Sequence, residues 1–359
     1  MTLPAAEVNS QESSGTRRVA VVIVNWNGWR ECVECLDSLF AQSHADIHVF
    51  VVDNASTDNS IEYIAAWCER PQWNTCWTRH SGVAYLTDQV TSLPIDYRVV
   101  DRADHGLPPP PSGCRLTIMR SGENLGFAGG CNVGVRAAGL SHFDYFWFLN
   151  ADTVIDGRAL VELLERAEGD SRIGMVGSTV RFYETPDIVQ AMGGAHLNRS
   201  NGTSWHIGQG TKVADIPEDV SGIERQMDYV MGASMLVSAK YIQDVGLMEE
   251  DYFLYFEEID WALRGSRDFQ FGFAPRSYVF HKWGVNSHKA MPVFSARYYY
   301  RNRLRFVARF LPERISAVKR ALFEQMMRHV VRGRWRQAHI VFSTLINART
   351  ITAGVQRRV

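Results

Sequence analysis

The sequence predicts an α/β fold on a doubly wound, mostly parallel sheet, with a basic helical extension at the C-terminal end. Three observations predict it. Short runs of apolar, β-branched residues alternate with amphipathic stretches of helical length, the order that yields a parallel sheet covered on both faces. Several of these runs stop abruptly at Asn or Asp, and ligands of open α/β sheets bind just outside the carboxyl ends of strands. Charge is also divided along the chain. Residues 295–359 hold 15 Lys and Arg against 2 Asp and Glu, a net of +13, while the whole 359-residue chain sums to −1. The body therefore carries −14.

The elements follow in order. Residues 1–18 are polar and rich in small side chains, lack the apolar segment of a signal peptide, and read as a disordered leader. Residues 19–294 read as the α/β domain. Val19 to Val24 (VAVVIV) is a strand buried on both faces. A helix from Trp29 to Ala41 follows, carrying Cys32 and Cys35 as a C-x-x-C. Buried reduced thiols are expected there, with a redox pair as the alternative. The other cysteines, Cys68, Cys76, Cys114 and Cys131, show no metal-site spacing. His48 to Val52 is the second strand, ending at Asp53, and Ser60 to Cys68 is helical.

Over 69–115 the pattern breaks at Trp73, Trp77, Pro94 and the run Pro108 to Pro111, which excludes helix. This stretch reads as an insertion, partly loop, that could close over a ligand as a lid. Order resumes with a strand at Leu116 to Met119. A Gly-rich turn, Glu123 to Asn132, leads into a helix through Ala138, and a strand ends at Asn150. A helix (Ala159 to Ala167) and a strand (Gly174 to Phe182) come next. Met192 to Gly210 reads as loops or a hairpin, and Tyr229 to Ser238 as one buried segment around Gly232. Phe271 to Pro275 and Ser277 to Phe280 close the core.

Four clusters carry chemistry. Asp53, after strand two, stands where an acid accepts hydrogen bonds from a nucleotide's base or ribose; an Asx-turn is the competing reading. Asn124 to Gly130 places glycines before a helix, which can bring backbone N–H groups to a diphosphate. Its spacing is not G-x-G-x-x-G, so a dinucleotide site is not indicated. Asn150-Ala151-Asp152 ends an apolar run, and a lone carboxylate there can hold a hard cation against phosphate if His281 completes the shell. Glu257, Glu258 and Asp260 follow five aromatic and aliphatic residues. Such packing raises a carboxyl pKa toward the general-base range; a negative first helical turn is the competing reading.

Together these segments resemble glycosyltransferase family 2, the inverting nucleotide-sugar transferases of the GT-A fold, and most of all its rhamnosyltransferase-like branch. The resemblance runs from Val19 to Asn302, apart from the insertion. It is carried by VVIVNWNG, VVDNASTDNS, NLGFAGGCNVG, FLNADT, GASMLVSA, YFLYFEEIDWALR and FAPRSYVFHKWG. It implies a Rossmann-like nucleotide-binding half and an acceptor half. It further implies that Val24 and Asn25 with Asp53 hold the nucleoside, and that Asn124, Gly126, Phe127 and Ala128 line the donor pocket. Asn150 and Asp152 take the family's Asp-x-Asp place, with Mg²⁺ or Mn²⁺ on Asp152 and His281. Glu258 falls at the catalytic base, where the family usually has Asp, and Glu257 is the second candidate. The implied donor is dTDP-rhamnose or a UDP-sugar. The implied acceptor is a saccharide or lipid-linked hydroxyl in cell-surface polysaccharide synthesis.

The tail mixes tyrosines with arginines in Arg297 to Arg309, and apolar residues recur at helical spacing from Leu322 to Val331. It reads as amphipathic helices on an anionic membrane surface, ahead of packing on the acidic body or a homo-oligomer interface. No nucleic-acid motif is present. The expected location is cytoplasmic, peripheral on the inner face of the membrane. By the same resemblance, Arg301 and Asn302 line the acceptor side. Two other functions compete. A sugar nucleotidyltransferase would need a Gly-rich signature with Arg and Lys close after strand one, which Asn25 to Gly28 lacks. A catalytically inactive sugar-binding scaffold would not need Asp152 and Glu258.

Overall fold

The computed structural model describes residues 17–44, 46–69, 82–83, 86, 94–102, 107–108, 110–282 and 292–356. Most of the expected leader and insertion lies outside the described residues, with Trp73, Cys76 and Trp77, as do Trp283 and Gly284 of the late motif. The lid expectation falls there too.

Along the chain run β1 (Val19–Asn25), α1 (Trp29–Phe40), β2 (Ile47–Asp53), α2 (Ser60–Glu69), β3 (Tyr97–Asp101), β4 (Leu116–Arg120), α3 (Gly126–Ala138), β5 (Tyr145–Asn150) and β6 (Thr153–Ile155). Then come α4 (Ala159–Glu168), β7 (Ile173–Phe182), β8 (Val189–Met192), β9 (Gly194–Asn198), β10 (Thr203–His206), α5 (Ser221–Glu224), β11 (Tyr229–Val230) and β12 (Ser234–Ser238). Last are α6 (Ala239–Val245), α7 (Glu257–Gly265), β13 (Gln270–His281), α8 (Val293–Phe310), α9 (Ile315–Val331), α10 (Trp335–Ile346) and α11 (Ala348–Gln356).

The large sheet has the order β3-β4-β2-β1-β5-β12-β7-β13-β6, with β8 also on β7. Its first half, β3 to β5, is entirely parallel. β12 runs antiparallel to β5 and β7, while β13 is parallel to β7. The fold is thus α/β with a mainly parallel sheet and a helical C-terminal region. β1 is buried along nearly its whole length, as strands with helices on both faces must be. α3 lies close on β1 because glycines line the contact. A Cβ added to Gly130 would meet Val24 Cγ1 at 2.7 Å, and one at Gly134 would meet Val22 Cγ1 at 2.5 Å.

Several expectations are corrected. The Gly-rich stretch is largely helix, beginning at Gly126, because its glycines serve helix-on-strand contact. The expected insertion contributes a strand, β3, to the edge of the main sheet. Tyr229 to Ser238 is two strands in two sheets, since β11 pairs with β9 and β12 with β5. The two late segments form one strand, β13, whose pairing with β7 shifts between Ala274 and Tyr278. Met192 to Gly210 includes the antiparallel pair β9–β10. Cys32 and Cys35 are buried, and burial pushes both thiols up, Cys35 to about 12; neither suits thiolate chemistry near neutral pH.

The tail packs on the body. One core joins Leu197, Tyr252, Phe256 and Ile259 to Leu304, Phe306, Val318, Leu322 and Val341. Packing, which the sequence pattern ranks behind the membrane, therefore accounts for the inward faces of these helices. Other apolar side chains remain exposed: Phe323, Met327 and Val331 on α9, and Trp335, Phe342 and Ile346 on α10. Among the described residues no helix is long and apolar enough to cross a membrane.

Candidate active site

Three strand ends meet at one edge of the sheet. Asn25 closes β1 in register with Asp53 of β2, and Val24 pairs with Asn150 of β5. Asn25 Nδ2 donates to Asp53 Oδ1 at 3.1 Å, and the Ser56 amide donates to Asp53 Oδ2 at 3.0 Å. Asp53 therefore makes the contact of the Asx-turn, buried at the strand end with both oxygens engaged. Asn25 Oδ1 is buried with no hydrogen-bond partner, an acceptor held ready beside the strand end. Val24 directs its side chain toward Gly130 of α3, and its backbone lies in the sheet between Val52 and Asn150.

The Asn124 turn is fastened to β2 through Asn54. Asn54 Nδ2 donates to Asn124 Oδ1 at 3.1 Å and to the Gly126 carbonyl at 3.0 Å, and Asn54 Oδ1 accepts from the Leu125 amide at 3.0 Å. Gly126 has φ +71°, and a Cβ there would lie 2.2 Å from the Phe253 carbonyl oxygen. Only glycine fits, in conformation and in space. Phe127 N then donates to that same carbonyl at 2.7 Å. Ala128 is fully buried in the core, so it offers no surface to a pocket, contrary to its expected place on the wall.

Asp152 follows β5 and faces His281, the last residue of β13, with Oδ1 and Nε2 3.3 Å apart. Asn150 Nδ2 is also 3.3 Å from His281 Nε2. His281 Nδ1 lies 3.1 Å from Gln190 Oε1 on β8. Gln190 thereby orients the ring so that Nε2 faces Asp152. Burial pushes the Asp152 pKa up, but His281 and Lys282 outweigh it and hold the carboxyl below its usual range. One ionised oxygen and one imidazole nitrogen facing a common point fit a divalent cation whose other ligands are phosphate and water oxygens. Among the described residues no group of three or more His, Cys, Asp or Glu could hold a metal alone.

The fourth cluster opens α7. Glu257 is buried, its Oε2 lacks a hydrogen-bond partner, and burial followed by the neighbouring Glu258 charge pushes its pKa far up. Burial raises Glu258 to about 7. Its carboxyl lies over Gly232, where a Cβ would sit 2.3 Å from Glu258 Oε1. The next residue, Ala233, accepts a bond from the Asn150 amide at 3.2 Å. This short path joins Glu258 to the Asn150–Asp152–His281 group. Asp260 is occupied elsewhere. It is fully buried between Arg264 and Arg309, both at 2.8 Å, and the Tyr252 hydroxyl at 3.0 Å.

The turn before Glu257 is strained. Phe253, Tyr255 and Phe256 have φ of +65°, +68° and +79°, unusual for bulky residues. Asn302 on α8 holds it, donating from Nδ2 to the carbonyls of Tyr252 at 2.6 Å, Leu254 at 2.7 Å and Tyr255 at 3.0 Å. Arg301 Nη2 donates to the carbonyls of Asp251 and Tyr252. Asn302 is fully buried, so it grips backbone and does not line an acceptor groove.

The sequence profile of glycosyl transferase family 2 matches residues 20–84 and 103–226, more than half of the chain. The chain belongs to glycosyl transferase family 2. An uncharacterised glycosyltransferase of Nostoc sp. (strain PCC 7120) is 40% identical over 47 residues, which is 13% of this chain and 15% of that protein. Among solved structures, the mannosyltransferase PcManGT of Pyrobaculum calidifontis, in complex with GDP-Man and Mn²⁺, has a TM-score of 0.49 at 13% identity, covering 96% of this chain and 77% of its own. S. aureus TarS residues 1–349 in complex with UDP-GlcNAc gives 0.45 at 11% identity, over 93% and 92%. At that distance neither assigns a donor or acceptor to this family 2 glycosyltransferase.

The sequence pattern does not single out Asn54, Gln190 or Gly232 as members of the candidate site, where they contact Asn124, His281 and Glu258. Gln190 had a signal: it is a lone polar residue in the apolar run VQAM. Gly232 had none, because its neighbour lies on another element.

Proposed function

We propose that the chain is an inverting transferase that moves a sugar from a nucleoside-diphosphate donor to an acceptor hydroxyl. The observation that carries this is the Glu258 carboxyl, raised to about 7 and tied through Gly232 and Ala233 to Asn150, beside the Asp152–His281 pair. A base and an anion-facing pair on one sheet edge suit direct displacement. Glu258 takes the proton of the acceptor hydroxyl, whose oxygen attacks the anomeric carbon opposite the departing diphosphate. The C–O bond to the diphosphate breaks as the new glycosidic bond forms, so the anomeric configuration inverts. Asn25 and Asp53 orient the nucleoside, and the Asn124–Gly126 turn faces the donor. Asp152 and His281 would hold Mg²⁺ or Mn²⁺, which supplies charge neutralisation for the leaving diphosphate.

Donor and acceptor follow the resemblance: dTDP-rhamnose or a UDP-sugar, and a saccharide or lipid-linked hydroxyl in cell-surface polysaccharide assembly. The basic, partly apolar tail supports an anionic membrane surface as the workplace.

The test is melting temperature with nucleoside diphosphates and nucleotide sugars, with and without Mn²⁺, on wild type and Asp152→Ala. A ligand that binds only the native state raises it by mass action. A metal-dependent rise with dTDP or UDP species, lost in Asp152→Ala, is expected. No rise with any nucleotide would overturn the donor reading and favour a scaffold.

A further inference from the structure

We propose that Asn302, on the C-terminal helix α8, is a positioning residue that aims the Glu258 carboxyl by clamping the backbone of the aromatic turn before it. The proposal rests on the reading of Glu258 as the base. Its own support is geometric. The turn from Tyr252 to Phe256 passes through the left-handed region at Phe253, Tyr255 and Phe256. Such conformations are unfavourable for bulky residues and persist only where the surroundings over-determine them.

Two sides supply that determination. On one side Phe127 N holds the Phe253 carbonyl, and Gly126 leaves room for it. On the other, the two N–H groups of Asn302 Nδ2 serve three carbonyls, those of Tyr252, Leu254 and Tyr255, so at least one bond is shared. Asn302 Oδ1 accepts from Arg301 Nε at 3.0 Å. That bond fixes which end of the amide faces the turn. A carboxylate in the same place would set an acceptor against three acceptors.

The clamped turn feeds directly into α7. Phe256 is the residue before its first turn, and Glu257 and Glu258 are its first two residues. A shift of the Tyr255 carbonyl therefore rotates the start of α7 and moves the Glu258 carboxyl off Gly232. Misplacing a reacting group by about 1 Å can lower turnover by about a hundredfold. Asp53 and Asp152 sit on other strands and loops, and the donor-facing turn is tied to the clamped segment at the Phe253 carbonyl, which Asn302 does not hold, so donor binding need not follow.

The experiment compares Asn302→Asp, Arg301→Gln and Glu258→Gln with wild type. It reads kcat for nucleoside-diphosphate release from dTDP-rhamnose or UDP-GlcNAc with Mn²⁺, whichever of the two the wild type turns over, equilibrium affinity for the matching dTDP or UDP, and circular dichroism for the folded fraction. Asn302→Asp is expected to lower kcat at least tenfold per folded molecule with donor affinity within twofold. Arg301→Gln, which removes the bond that fixes the Asn302 amide and the contacts to the Asp251 and Tyr252 carbonyls but leaves the Asn302 Nδ2 donors in place, is expected to lower kcat less, again without loss of affinity, and it decides the matter if Asn302→Asp does not fold. Turnover within twofold of wild type, while Glu258→Gln is inactive, would overturn the clamp alone. Parallel loss of kcat and donor affinity would also overturn it, reducing Asn302 to a support for the fold. Full turnover in Glu258→Gln would remove the base reading and the clamp with it.

Discussion

Glu258 keeps its proton far above the ordinary carboxyl range because burial disfavours its charge. A base must be ionised to accept a proton, so turnover is expected to rise with pH through about 7. Glu257 beside it is also pushed well above its ordinary value, by burial first and then by the Glu258 charge, so the profile belongs to the pair. The same shift sets a stability slope. Between the ordinary 4.5 and about 7 the native state binds more protons than the unfolded chain, so this group makes the fold less stable as pH rises through that window. Glu258→Gln is expected to lower kcat by about 10²–10⁴-fold and to flatten both slopes, as read by a pH–rate profile and by melting temperature against pH. A kcat–pH limb near 7 that persists in the variant would assign the titration elsewhere. Asp53, Asp152 and Glu258 were legible in the sequence because each stands where an apolar run ends. Asn302 in its present role was not, since its partners are backbone carbonyls, which any residues would supply.

Glycines decide how elements approach one another around the site. At Gly126 the obstacle to a side chain is the Phe253 backbone, which cannot yield without breaking the turn. At Gly232 the obstacle is the carboxyl end of Glu258, which can swing away. Gly232→Ala is therefore expected to keep the fold and the donor affinity while lowering kcat by about ten- to a hundredfold as the carboxyl is displaced. Steady-state kinetics beside donor titration checks this, and unchanged turnover would mean that Glu258 does not act from over Gly232. The strands and helices of the parallel half were readable from periodicity, since every residue of β2 is buried and its run is uniformly apolar apart from His48 and Asp53. β3 was not readable: its residues are only partly buried at the sheet edge, so Tyr97 to Asp101 carries no strong pattern. The glycines of α3 misled for a related reason, because a close helix–strand contact uses the same residue as a loop.

The molecule as a whole is electrically divided, with a tail of +13 on a body of −14. Part of that contrast is internal: Arg309 pairs with Glu249 and Asp260, and Arg305 with Asp251. The outer faces of α9 and α10 still combine arginines with exposed Phe323, Met327, Val331, Trp335, Phe342 and Ile346, a composition suited to the headgroup region of an anionic bilayer. Co-sedimentation is expected with vesicles containing phosphatidylglycerol, not with phosphatidylcholine alone. It should weaken with salt and fall in the double variant Phe323→Ser, Trp335→Ser. Equal recovery with both lipids, or concentration-dependent self-association through this face instead, would overturn the membrane reading.

β13 has one more consequence, for the growing chain. It lies between β7 and β6 although it follows both in sequence, so the sheet stays incomplete until residue 281 has been made. Asn302 arrives later still. At roughly 5–20 residues per second, β6 waits on the order of ten seconds for its neighbour. Until then Asp152 has no His281, and the turn before Glu258 has no grip. A ribosome-bound chain thus brings the ends of β1, β2 and β5 together early, while the Asp152–His281 pair and the held turn before Glu258 are gathered only once residue 302 has been made.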